Sequence, residues 1–262
     1  MDAHEHAAPP PAPADDRLGR LVERRDGADF PFYDGTPVGL SAGRWTTVCV
    51  ACLVAFLVLS FVPAPNDLLA LVPRILFTGI MLGALGWATG PCWRAIFRRV
   101  GIRDVGLMVL FAALNYVVTV LVALLVSSLF TTSANSAVGA PTGGVAGTVA
   151  RYLGTAIQLL GEELLTVLPL LALLHVLTVR AGLSRRTAIL LSWLVTAVWF
   201  GLLHLPTYDG NLAQALLVIG VARLVLTLAY LRTKNLWVST GAHILNDWTL
   251  LTIGTGTAAL LV

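Results

Sequence analysis

The sequence predicts an all-α, polytopic membrane helix bundle with about seven transmembrane helices. Three observations carry this reading. The chain is 57% hydrophobic and only 12% charged, with a mean hydropathy of +0.83, whereas soluble domains carry about 25% charged residues. Several apolar runs reach about 20 residues, the length that crosses about 30 Å of hydrocarbon. The runs are solid rather than alternating, which excludes a transmembrane barrel.

Residues 1–43 read as a Pro/Ala-rich tail, because His4, His6, the prolines from Pro9 to Pro13 and the charges from Arg17 to Asp26 cannot build a core. The more apolar run Asp29 to Tyr33 is expected at the membrane surface. The transmembrane domain then occupies residues 44–262. Its first two spans are Trp45 to Val62 and Leu69 to Ala88, joined by a Pro-rich turn. A basic loop with Arg94, Arg98, Arg99 and Arg103 precedes the third span, Val105 to Phe130. The uncharged small-residue loop 131–147 reads as flexible, and the fourth span follows from Arg151 to Val179. Another basic loop, 180–186, leads to the fifth span, Ala188 to Leu205. A polar turn at 206–211 leads to the sixth, Leu212 to Leu231, and the seventh starts near Leu236.

Lys and Arg set the orientation. With the N-terminus inside, fourteen of the seventeen basic residues fall in the tail or in loops on the cytoplasmic side. This topology suits a multi-pass protein of a bacterial-type plasma membrane with its C-terminus outside. It accounts for the net charge of +3 without a nucleic-acid partner. Arg74 and Arg151 lie near outer span ends, where arginine can snorkel. Arg223 lies inside a span and needs an anion. The three cysteines, Cys49, Cys52 and Cys92, make no disulfide framework.

The polar residues inside spans are the functional candidates. Glu162 and Glu163 are adjacent carboxylates in the fourth span, and their side chains diverge by about 100° on a helix. Phe200 and His204 share one face of the fifth span at i, i+4. His243 and Asp247 repeat that spacing in the seventh, with Asn246 beside them. This set supplies what hydrolysis in a membrane needs: a base for water, partners that orient it, and donors for an oxyanion. Histidines and carboxylates of this kind also ligate zinc, with Glu162, Glu163, His204 and His243 as candidates, so zinc and a metal-free site both stay open. In a plain seven-span arrangement His204 and His243 differ by about 15 Å in depth. Their meeting requires the 206–211 turn to sink into the bundle, or the seventh span to begin deep.

The ordered set Glu162-Glu163, Phe200-xxx-His204 and His243-xxx-Asp247 resembles the CAAX-protease and bacteriocin-processing (CPBP, or ABI) family of intramembrane proteases. The resemblance covers roughly residues 150–250. It implies peptide-bond hydrolysis of a membrane-associated protein or peptide, with the lipid bilayer as surroundings. Glu162 would activate water, Glu163 would assist, His204 would hold the water, and His243 with Asp247 would line the oxyanion or substrate side. Two positions depart from the pattern. The motif arginine is replaced by Val167, and the expected substitute is Arg223. Asp247, when ionised, donates nothing to an oxyanion, whereas the Asn246 amide can. A non-catalytic membrane binding or regulatory protein of the same fold is the alternative, and a cation or proton carrier is a third class.

Overall fold

The computed structural model describes residues 18, 19, 22–24, 26–135 and 142–257, with side chains to 252. The described residues form seven α-helices: α1 (Ala42–Phe61), α2 (Leu71–Thr89), α3 (Ile102–Leu129), α4 (Gly144–His175), α5 (Arg185–Leu203), α6 (Gly220–Thr233) and α7 (Leu236–Thr257). The helices α1 to α6, with their flanking turns, are each long and apolar enough to cross a membrane. The protein is an all-α, multi-pass helical bundle, as its composition requires.

The bundle is built around α4. This helix packs against α1, α2, α5, α6 and α7. In its most apolar stretch 61% of residues are buried, against 22% in α1 and α3, whose outer faces meet lipid. Its glycines explain the close packing. A Cβ at Gly161 would lie 2.4 Å from the Phe77 ring, and one at Gly154 would lie 2.6 Å from Arg74 Nη1. Both glycines therefore let α2 approach, and Thr78 Oγ1 closes the contact by donating to the Ile157 carbonyl at 2.7 Å. Gly241 does the same for α7 against α3, where a Cβ would lie 2.5 Å from Met108 Sδ. Pro169 sits inside α4 beyond the Glu pair, and its ring leaves the Leu165 carbonyl without its usual donor.

One expectation changes. Residues 26–41, read from composition as part of a solvated tail, fold back over the end of the bundle that carries the basic loops. Phe30, Phe32, Tyr33 and Leu40 join the main core instead of lying at a membrane surface. Arg185 holds this strap through Glu23 (2.7 Å) and Asp29 (2.6 Å). Lys234 donates to the Val22 and Leu231 carbonyls and stands 4.2 Å over the Phe30 ring. His175 Nδ1 donates to the Tyr33 carbonyl at 2.8 Å. Four aromatic or aliphatic side chains and matched charges replace solvation, which the local composition did not reveal. His4, His6 and the proline run lie outside the described residues, as do residues 136–141 of the small-residue loop.

On depth, the turn after α5 enters the wall of the bundle as the spacing of His204 and His243 required: Tyr208 is buried, while Pro206 and Thr207 line a cavity.

Candidate active site

The cavity, of about 470 Å³, opens at the end opposite the strap. Its walls come from the C-terminal end of α1, α2, α4 between Arg151 and Leu165, the α1–α2 turn and the turn after α5, and both Glu162 and His204 line it. Glu162 is placed there by α4 packing on α2 through Gly161. Gln158, one turn earlier on the same face, donates from Nε2 to Glu162 Oε1 at 2.8 Å. That leaves Oε2 as the free oxygen. His204 caps α5, where its Nδ1 lies 2.8 Å from the Phe200 carbonyl and its ring stacks on Phe200 at 4.4 Å. A carbonyl only accepts, so Nδ1 carries the hydrogen and Nε2 is the ring nitrogen left for other partners.

Glu163 points away from the cavity into the helix packing and is fully buried. The 100° divergence of neighbouring side chains gives the two carboxylates these different surroundings. Arg223 Nη2 of α6 bonds Glu163 Oε1, and Nε reaches Thr227 Oγ1 at 3.2 Å. The same guanidinium lies 4.7 Å over the Phe200 ring. Arg223 is thus the cationic partner of the Glu pair that Val167 does not supply. Val167 itself is packed in the core.

His243 joins the two carboxylates. Its Nδ1 lies 2.9 Å from Glu163 Oε1, so the arginine-paired carboxylate fixes the tautomer. Its Nε2 then faces Glu162 Oε2 at 3.9 Å and Asp247 Oδ1 at 3.7 Å. Both distances exceed a direct hydrogen bond. Asp247 accepts from Asn246 Nδ2 at 3.0 Å, and Asn246 Oδ1 accepts from Asn115 of α3 at 3.1 Å. The Asn246 amide is therefore engaged with Asp247 rather than aimed at the cavity.

All the motif side chains thus gather around Glu162 and Glu163. Among the described residues no hydrogen bond or ion pair joins His204 to His243; Glu162 lies between them, lining the cavity with one and approaching the other. Sequence reasoning missed Gln158 and Asn115. Each is a lone amide in an apolar helix, and Gln158 stands at i−4 from Glu162, a spacing that could have marked it.

Among the described residues no group of three or more His, Cys, Asp or Glu could hold a metal ion. Glu163 Oε1 is engaged by Arg223 and His243, and a guanidinium beside it disfavours a second cation.

Comparison with known families bears on the same helices. The family model described as Type II CAAX prenyl endopeptidase Rce1-like matches residues 145–249. That interval contains all three motifs and is consistent with the CPBP family that they resemble. At this level the match supports a membrane protease of the CAAX-endopeptidase type. Residues before 145, including Asn115 and Arg74, lie outside it. No curated protein and no solved structure matches the chain.

Proposed function

We propose that the protein is an intramembrane endopeptidase that hydrolyses a peptide bond of a membrane-associated protein or peptide with a Glu162-activated water. The observation that carries this is the arrangement around Nε2 of His243. A carboxylate oxygen with no hydrogen-bond partner among the described residues, Glu162 Oε2, stands 3.9 Å from an imidazole nitrogen whose ring is locked on Glu163 through the other nitrogen. Such a base, partner and orienter set is the geometry of a hydrolytic site.

In this reaction Glu162 Oε2 takes a proton from water as the water oxygen bonds to the scissile carbonyl carbon. The carbonyl becomes a tetrahedral oxyanion, which accepts from the Nε2–H that an imidazolium at His204 or His243 carries. Glu162 then passes the proton to the departing amine nitrogen as the C–N bond breaks, leaving a new carboxylate and a free amine. Gln158 holds Glu162 in place, and the Arg223–Glu163 pair holds His243. The cavity lets water reach a site enclosed by apolar helices, as hydrolysis requires. Placed in a plasma membrane with the basic loops and strap on the cytoplasmic side, the cavity opens to the outside.

Hydrolysis of membrane-anchored peptides in proteoliposomes tests the reading. Glu162→Gln keeps a partner for Gln158 and removes the base. The expected result is a fall in rate of about 10²–10⁴-fold with an unchanged melting temperature. A variant that hydrolyses at the wild-type rate would sink the proposal and favour a binding or regulatory role.

A further inference from the structure

We infer that Arg74 is a specificity residue that binds a carboxylate of the substrate beside the scissile bond; this rests on the proteolytic reading above. An arginine near a span end ordinarily reaches out to the headgroups. Arg74 does not. Its side chain is half-buried and lines the same cavity as Glu162 and His204. Nη1 is buried against α4 at Gly154, with no hydrogen-bond partner among the described residues. The glycine is required there, since a Cβ would lie 2.6 Å from Nη1 and 3.1 Å from Arg74 Cδ. The Glu helix therefore carries a seat for this guanidinium.

A guanidinium stays charged and has five donors, so a half-buried one without acceptors is costly unless an anion joins it. The other charges nearby do not serve. Asp67 accepts from the Thr142 backbone at 2.7 Å, from its hydroxyl at 3.0 Å and from Arg151 at 3.1 Å. Asp67 and Glu162 both act on Arg74 electrostatically, but among the described residues no ion pair within 4.0 Å joins either to it, and Glu162 Oε1 is held by Gln158. A substrate carboxylate placed at Arg74 would lie in the same cavity as the water-activating Glu162. Nη1 is sealed at Gly154, so the edge that a carboxylate can meet in two parallel bonds is the one formed by Nε and Nη2. Two sources of that carboxylate share the chemistry: the C-terminus of the substrate, and an acidic side chain near the bond.

The test is binding, so that it does not depend on hydrolysis. Lipid-anchored fluorescent peptides with four randomised final residues are bound to the protein in nanodiscs. One set ends in a free carboxylate and one in an amide, and two amidated sets carry Glu or Gln at a fixed position. Wild type should bind at least one carboxylate-bearing set about 10–100-fold more tightly than its neutral counterpart, the range of a charge-assisted bidentate pair. The free-terminus and Glu arms tell the two sources apart. Arg74→Gln should abolish the preference while leaving neutral peptides bound as before. Gly154→Ala, which keeps the charge but displaces Nη1, should weaken it. Equal binding of charged and neutral sets by wild type, or a preference that survives in Arg74→Gln, overturns the inference. A preference that holds while Glu162→Gln leaves hydrolysis unchanged would instead count against the proteolytic reading alone.

Discussion

The two ends of the bundle treat charge in opposite ways. At the strap end, Arg185 meets two carboxylates, Lys234 meets two carbonyls, and Arg24 donates to the Thr233 carbonyl at 2.7 Å. At the cavity end, among the described residues, Arg74 Nη1 has no hydrogen-bond partner, Glu162 Oε2 has none either, and Nε2 of His243 stands beyond bonding distance from two carboxylates. Satisfied polar groups hold a structure together, while buried polar groups left short of partners mark where substrate or water completes the set. The comparison assigns stability to one end and chemistry to the other, with Arg223 and Glu163 at the junction.

Substitution at that junction should have the largest effect on stability. Arg223→Leu leaves Glu163 buried without its cation, and removing one partner of a buried pair costs about 3–5 kcal/mol. The melting temperature in detergent should fall steeply, and hydrolysis with it, because His243 loses the orientation of Glu163. Wild-type thermal stability in this variant would show that the pair contributes little.

Arg185→Ala sharpens the contrast between the ends. It removes the bonds to Glu23 and Asp29, at about 1.5–3 kcal/mol for hydrogen bonds between charged groups. Limited proteolysis should cut the strap sooner, while peptide hydrolysis per folded molecule stays near wild type. A loss of hydrolysis with the strap still protected would break the division of roles.

A pH slope at the strap probes the same end without breaking a contact. Burial pushes the Lys234 ammonium down to about 7 from its ordinary 10.5. Between those values the unfolded chain binds more protons than the folded one. Stability therefore rises with pH across that window, by at most about 1.4 kcal/mol per unit, and the penalty is fully present below it. Hydrogen exchange of the strap at about pH 7 and about pH 9 should show greater protection at the higher pH, and Lys234→Met should flatten the difference. An unchanged slope in the variant would place the titration elsewhere.

The spans, the polar residues inside them and the need of Arg223 for an anion were all legible in the sequence. Solvation by hydrocarbon acts residue by residue, so an apolar run announces a helix whatever surrounds it, and a charge within that run announces a partner. The partner's identity was half legible: Arg223 had to reach the Glu pair, but only the packing of α6 on α4 made it Glu163 and left Glu162 to the cavity. The strap was misread because its few aromatic residues become a core only when α4 and α6 provide the other wall. Arg74 was misread for a related reason. Its distance from a span end points to the headgroups, and nothing local says that Gly154, eighty residues later in the chain, offers it a seat. Asn115 and Gln158 likewise gain a role only from what faces them. The one-dimensional pattern determined which segments are helical and which side chains are too polar to face lipid, because transfer free energy is a local property. The tertiary structure decided which of those side chains satisfy one another and which remain open to a ligand, because hydrogen bonds and ion pairs depend on distances between helices that the order of residues does not contain.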